Sequence, residues 1–212
     1  MSFIKEACVE NLQQAIIAEK QGADRLELCT DLEMDGLTPS NDLILKIKEH
    51  IKIPVHVMIR PRAGNFVYST QEIDEMKASI AFCKLVGVEG VVFGILNNDN
   101  TLNLDKLREL TDYSQPLKVV IHKAIDDTPN PLQACKELAD INGVTTILSS
   151  GGEITALEGM EVLREMIKIS SEIEIMPAGK ITKSNVHELH ELIGARAYHG
   201  RLIVGSLEGL AQ

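Results

Sequence analysis

The amino-acid sequence predicts an α/β fold: a single (β/α)8 barrel with a shortened or missing eighth helix. Three observations carry that expectation. Short apolar runs alternate with longer amphipathic ones, the order of parallel βα units. Glycine closes every second helix candidate, at Gly22, Gly87, Gly143 and Gly194, and Pro54 and Pro116 mark two of the junctions between them. A period of two βα units, repeated four times, fits a closed TIM-type barrel better than the alternative, a doubly wound open sheet. Finally, 212 residues with 44% hydrophobic and 25% charged side chains are ordinary globular proportions. No linker or low-complexity segment interrupts residues 1–212, so they are expected to form a single TIM-barrel domain.

In chain order, the strand candidates are residues 3–8, 24–29, 55–59, 90–95, 117–122, 145–149, 172–176 and 196–199. Helix candidates fill the intervals at 11–21, 41–50, 70–86, 104–113, 131–140, 157–170 and 183–193. The first, third, fifth and seventh helices end at the four glycines, each suited to the left-handed turn after a helix. Pro54 and Pro116 lead into strands three and five. The longest strand-to-helix connections, residues 30–40, 60–69 and 96–103, would all lie on the C-terminal face, where barrels build their active sites.

Side chains alternate along a strand, which sorts the polar residues by face. In strand two, Leu26 and Leu28 face the helices, leaving Arg25, Glu27 and Cys29 toward the axis. Strand one groups Ile4, Glu6 and Cys8, and strand three sets His56, Met58, Arg60 and then Arg62 on one side. His122 and His199 end strands five and eight, and Asp126 follows shortly after His122. Charges inside a barrel mouth need partners or a ligand. One reading is a structural layer in which Arg25 and Arg60 satisfy Glu6 and Glu27. The other is a ligand pocket, and Arg60, Arg62, His122 and Asp126 stand where a barrel places functional groups. Arg60-Pro61-Arg62, followed by Ala63-Gly64-Asn65, reads as a stiff turn whose arginines fork toward a carboxylate or phosphate.

Cys8 and Cys29 end neighbouring strands, whose backbones lie about 4.8 Å apart. Two thiolates at that spacing can share a soft ion such as Cu(I), with Met58 nearby. The alternative is that both are small core side chains, the commonest fate of free cysteine. Cys83 and Cys135 sit on helices and look like packing. There is no CxxC pair for structural zinc, and no organic cofactor is predicted.

Composition narrows the partners. Against 31 Asp+Glu stand 21 Lys+Arg, a net charge of −10, which weighs against nucleic acid. Three Tyr, four Phe and no Trp give little for base stacking. The longest stretch free of charge, residues 141–152, is far short of the ~20 apolar residues that span a bilayer, so no membrane partner is expected. Residues 1–10 carry Lys5, Glu6 and Glu10 and lack an apolar leader, and the cysteines are widely spaced, so a cytoplasmic location is expected. His187-Glu188-Leu189-His190-Glu191 imitates a zinc-protease helix, but position 191 is Glu where that motif needs His, so a solvated face is expected. Gly151-Gly152, and Pro177-Ala178-Gly179-Lys180, could bind phosphate through backbone N–H groups or be merely tight turns.

The strings Glu6-Ala7-Cys8, Gly22-Ala23-Asp24-Arg25-Leu26-Glu27-Leu28-Cys29 and Gly36-Leu37-Thr38-Pro39-Ser40 resemble the opening motifs of the CutC copper-homeostasis family. The likeness continues through Ile53-Pro54-Val55-His56, Met58-Ile59-Arg60-Pro61-Arg62 and Tyr68-Ser69. It then runs through His122-Lys123-Ala124-Ile125-Asp126, Leu148-Ser149-Ser150-Gly151 and Ala156-Leu157-Glu158-Gly159. It covers nearly the whole chain. The resemblance implies a (β/α)8 barrel in the cytoplasm with a role in copper handling, Cu(I) falling to Cys8 and Cys29. It also implies a polar cluster of Glu6, Arg25, Glu27, Arg60, Arg62, His122 and Asp126. Lys123 departs from the family's usual Arg, and Lys180 from its frequent Gly or Ala.

Two functions follow as expectations. The first is Cu(I) binding at Cys8 and Cys29. The second is an enzyme acting on a small anionic or phosphorylated substrate, with Arg60 and Arg62 as clamps, His122 as general acid/base and Glu6 or Glu27 as its partner. The residues after strand eight include Leu207, Leu210 and Ala211, enough for a turn or two of helix. Apolar surface left open beside strand eight would mark a homodimer contact.

Overall fold

The computed structural model describes residues 3–170 and 172–208. Eight strands run in order: β1 (Ile4–Val9), β2 (Arg25–Leu28), β3 (Val55–Met58), β4 (Gly90–Phe93), β5 (Lys118–Ile121), β6 (Val144–Ser149), β7 (Glu174–Pro177) and β8 (Ala197–Gly200). Between them lie α1 (Leu12–Lys20), α2 (Asn41–His50), α3 (Thr70–Val86), α4 (Leu104–Ser114), α5 (Pro131–Ala139), α6 (Met160–Ile169) and α7 (Val186–Ile193). Helix starts are set locally: the Asn11, Ser40 and Asn130 side chains each accept an N–H from the first turn, and Ser69 and Glu72 form a reciprocal capping box. Gly87 and Gly194 close α3 and α7 at φ 72° and 75°. Gly143 also has a positive φ, yet it lies in the loop beyond Asp140, the residue that caps α5.

Every ladder is parallel, in the order β7-β6-β5-β4-β3-β2-β1-β8. The wall therefore closes almost completely, as a barrel and not as an open sheet. The seam falls between β7 and β8. Just beyond both strands a single parallel bridge joins Thr182 and Leu202, with Lys183 N–H donating to the Leu202 carbonyl at 2.9 Å. Outward residues such as Leu26, Leu28, Val57, Val91, Val119 and Ile147 form the main core beneath the helices. Inward ones, among them Cys8, Cys29, Met58, Val92, Val120 and Met176, form a second, smaller core on the axis. That separation is the period-two alternation of the strands made physical.

Two helices begin later than their periodicity implies. α6 starts at Met160 because the residues after β6 first wrap around the Asp126 side chain. α7 starts at Val186 because Thr182 N–H donates to Asn185 Oδ1 in a turn. His187 on α7 is exposed, as expected of a solvated face. His190, by contrast, turns inward against Phe3 and Tyr198. Beyond β8, Ile203, Val204 and Leu207 are buried, and Gln21 Nε2 donates to the Ser206 carbonyl. This short segment covers part of the surface an eighth helix would cover, so less apolar area lies open there than the sequence implies. Leu210 and Ala211, expected to add helix, lie outside the described residues.

Space on the axis is made by glycine. A Cβ on Gly90 would stand 2.8 Å from both His56 Cδ2 and the Lys118 carbonyl oxygen. His56 fits inside the barrel because β4 has no side chain there. Gly90→Ala should destabilise the fold by about 1–3 kcal/mol through overpacking. The expected readout is a lower urea midpoint at constant slope; an unchanged midpoint would show that β4 yields without cost.

Candidate metal and ligand site at the barrel mouth

The polar interior is organised around Glu6 on β1, which has no exposed surface. Its carboxylate accepts from Arg25 Nε at 2.5 Å and from His199 Nδ1 at 2.9 Å, and His56 Nδ1 lies 3.3 Å away. Strand register explains the meeting, since Glu6 is paired with Arg25 on one side and His199 on the other. Burial alone would raise the Glu6 pKa. The hydrogen bond from His199, the neighbouring His56 and the Arg25 charge outweigh it and hold the group well below the usual carboxylate range. Arg25 also reaches Glu174 at 3.5 Å and Met176 Sδ at 3.0 Å.

Glu27 is the less satisfied of the two carboxylates. Burial raises its pKa, and the charge of Glu6 pushes the same way. Its Oε1 lies 3.5 Å from Cys8 Sγ and 3.9 Å from His199 Nε2, while Oε2 has no hydrogen-bond partner. His199 thus stands between two carboxylates. Burial disfavours its charge, but Glu27 and Glu6 prevail and raise its pKa.

Cys8 joins this layer to the sulfur pair. Its Sγ is 3.4 Å from Cys29 Sγ, and both residues are buried. The Cys8 Sγ, a Glu27 oxygen and a His199 nitrogen all lie within 4.8 Å of one another. The hydrogen bond with Cys29, burial and the Glu27 charge all push the Cys8 pKa well above the ordinary thiol value, so it is a thiol at neutral pH. Metal–thiolate bonds are about 2.3 Å long. One ion between sulfurs this close sits off the line joining them and leaves a face for a third donor. Cys83 and Cys135 pack in the outer core instead, and burial pushes Cys83 up to about 12.

Above this floor opens a cavity of about 640 Å3, lined by Cys8, Glu27 and His199 below and by Arg60, His122 and Asp126 nearer the rim. Arg60 does not pair with Glu6 or Glu27. Its Nη1 donates to the Met34 and Gly36 carbonyls and its Nη2 to that of Gly64, while the guanidinium lies 5.0 Å from the Phe66 ring centre. His122 Nδ1 accepts from Ala124 N–H, so the ring proton resides on Nε2, which is buried without a partner. Burial, then the Arg60 charge, pushes the His122 pKa down to about 3. A neutral imidazole held in this tautomer donates a hydrogen bond and is a poor base. The ring fits because another glycine follows β4: a Cβ on Gly94 would stand 2.7 Å from it.

The structure brings Glu6, Arg25, Glu27, Cys8 and Cys29 together as one group, and Arg60, His122 and Asp126 around the mouth above it. Arg62 lies apart. It pairs with Glu72 of α3 at 2.5 Å and donates to the Ala63, Asn65 and Val67 carbonyls, bracing the loop it belongs to. Asp126 accepts from Ser149 Oγ, from Ser150 N–H and Oγ, and from Gly152 N–H. The Ser150 and Gly152 N–H groups that a phosphate would need are thus taken by an internal carboxylate, and the Gly151 N–H by Ser149 Oγ. His56 and His199 are full members of the polar layer. The signal for both was present, since each stands at an inward position of its strand. Phe66, which touches both Arg60 and His122, carried no sequence signal.

Fold and site together define a (β/α)8 barrel with a buried thiol–carboxylate–imidazole cluster beneath a polar mouth. The CutC family model matches residues 3–204. The human copper homeostasis protein cutC homolog is 39% identical over 198 residues, covering 93% of this chain and 72% of its own length. The crystal structure of CutC from Streptococcus agalactiae superposes with a TM-score of 0.90 at 30% identity, covering 95% of this chain and all of the other. Phosphoribosylanthranilate isomerase from Thermotoga maritima shares the fold at a TM-score of 0.61 and 9% identity, over 94% of this chain and 87% of its own. The chain belongs to the CutC family.

The low pKa of His122 has a consequence for stability. The unfolded histidine titrates near 6.5 and the folded one at about 3. Between those values the unfolded chain binds the extra proton. The contribution of His122 is therefore complete above about pH 6.5 and is lost as pH falls toward 3. Nitrogen-15 NMR at pH 5 should show a neutral His122 ring with its proton on Nε2, and His122→Phe should flatten the acid-side loss of stability. A charged ring at pH 5 would contradict the assignment.

Proposed function

We propose that this protein binds Cu(I) as cargo at Cys8 and Cys29, as part of copper homeostasis in the cytoplasm. One observation carries the reading: two buried sulfurs 3.4 Å apart, with a carboxylate and an imidazole beside Cys8, at the floor of an open cavity. Soft thiolate sulfur selects Cu(I) over harder ions. His199 Nε2 or Glu27 Oε2 supplies the third donor. Because Cys8 is a thiol before loading, the metal must displace its proton, and affinity rises with pH. A pair of thiols this close persists as thiols in a reducing compartment, which supports the cytoplasmic assignment. The name carried by the human relative supports the copper role.

The Cys8→Ser, Cys29→Ser variant should lose stoichiometric Cu(I) binding in competition with a chelator, and His199→Gln should weaken it about ten- to hundredfold. Equal binding by wild type and the double serine variant would refute the site. A twofold homodimer belongs to the same proposal, and light scattering at micromolar concentration should give twice the chain mass. The burial of Ile203, Val204 and Leu207 leaves that contact to rest on other surface.

A further inference from the structure

We propose that the floor of the cavity is also a site for a divalent ion, Zn2+, held by Cys8 Sγ, the Glu27 carboxylate and His199 Nε2, with its fourth position open to the cavity. The site omits Cys29 and stands whether or not the sulfur pair takes Cu(I). Cys8, Glu27 and His199 all line the cavity, whereas Cys29 has no exposed surface and is not part of the lining. An ion arriving from solvent therefore meets one sulfur, one oxygen and one nitrogen donor. The His199 side chain keeps 12% exposure, so the group is not sealed.

The spacing suits a tetrahedral ion. Zinc bonds of about 2.0–2.3 Å at tetrahedral angles set donor atoms about 3.4–3.6 Å apart. Cys8 Sγ lies 3.5 Å from Glu27 Oε1, Oε1 lies 3.9 Å from His199 Nε2, and the three donor atoms fall within 4.8 Å of one another. Small side-chain movements close this triangle around one ion.

An outer partner already orients the imidazole. His199 Nδ1 meets Glu6 Oε1 at 2.9 Å, which leaves Nε2 as the nitrogen turned toward Glu27. A carboxylate behind a histidine is the regular companion of a metal ligand, because it fixes the ring and makes the far nitrogen a better donor. Glu6 is itself held by Arg25 at 2.5 Å. Glu27 is 3% exposed, and its Oε2 has no partner among the described residues. Buried polar atoms are nearly always satisfied, so this carboxylate calls for a further partner.

Charge favours a dication. A Cys8 thiolate, the Glu27 carboxylate and a neutral His199 ring around Zn2+ make a neutral assembly, the thiol proton leaving to water on loading. Cu(I) on the same three donors would leave a buried negative charge. Mg2+ and Ca2+ prefer oxygen throughout, whereas Zn2+ accepts sulfur, nitrogen and oxygen together. Four further carboxylates line the cavity against two permanent cations, Arg60 and Lys123, a field that draws cations in. Three protein ligands and an open face form the arrangement in which zinc holds a water or a substrate oxygen.

The test uses the full chain, stripped of metal and kept reduced, titrated with Zn2+ and with Co2+ as its optical stand-in. Zinc should bind at one equivalent with a Kd of about 1 μM or tighter. The cobalt form should show the absorption of a four-coordinate ion with a thiolate charge-transfer band, and Zn2+ should displace it. X-ray absorption at the zinc edge should show one sulfur at about 2.3 Å and nitrogen or oxygen neighbours at about 2.0 Å. Glu27→Gln and His199→Gln should each weaken zinc about a hundredfold or more, and Cys8→Ser should abolish the cobalt thiolate band. Cys29→Ser, which the copper reading requires to lose Cu(I), should keep zinc and its single sulfur. The proposal is overturned if the wild type takes up no stoichiometric zinc, if two sulfurs surround the ion, if Cys29→Ser loses zinc, or if folded Glu27→Gln binds as wild type. Where both ligand variants fail to fold, the sulfur count of the wild-type protein decides. A wild-type chain that takes zinc at this site but no Cu(I) would refute the copper reading and leave this one standing.

Discussion

A carboxylate with no access to water sets the terms for the interior of this barrel. Glu6 sits where β1, β2, β3 and β8 converge, and an ionised group there is tolerable only inside a ring of donors. Arg25 comes from β2 and His199 from β8, with His56 of β3 lying 3.3 Å away, so one side chain gathers groups from three other strands. That tie matters most at β8, which has a ladder to β1 alone. The Glu6–His199 contact spans the chain from its first strand to its last.

The cluster below the mouth follows from that tie. His199, anchored through Nδ1, presents Nε2 to Glu27, and Glu27 in turn lies against the Cys8 thiol. Cys8 brings in Cys29 because β1 and β2 are neighbours in register. His56 and His122 depend in turn on glycine in and just after β4, because they take the volumes that side chains at Gly90 and Gly94 would fill. The polar cluster therefore lies on β1, β2, β3 and β8, while β4 and β5 contribute Gly90, Val92 and Val120, and β6 adds the buried Thr146 beside Leu148.

Much of this was legible in the sequence, and the failures have physical causes. Alternation along strands placed Glu6, Arg25, Glu27, Cys8 and Cys29 on the axis because period two is a local property of extended backbone. It failed for Arg62, because Pro61 lies past the end of β3, where the alternation no longer holds and Glu72 is the nearer partner. It misassigned the partner of Arg60 for a different reason. A guanidinium can be held by carbonyl oxygens, and those of Met34, Gly36 and Gly64 belong to loops whose paths no side-chain pattern encodes. Asp126 likewise fills a turn that glycine content alone makes look vacant. Strand existence was legible from the local pattern, but the seam between β7 and β8 was not, since closure depends on how all eight strands fit at once.

Charge balance constrains the proposed Cu(I) site. A Cu(I) ion between two thiolates carries a net negative charge, and Glu27 beside it carries another. Burying both would be prohibitive unless a cation stood nearby. His199, whose pKa is raised by the same two carboxylates, supplies that charge when it does not ligate. Arg60 cannot serve, because the carbonyls of Met34, Gly36 and Gly64 fix its guanidinium within the loops at the rim. Glu6 therefore sets the charge beside the sulfur pair, because it is the group that holds His199 in place.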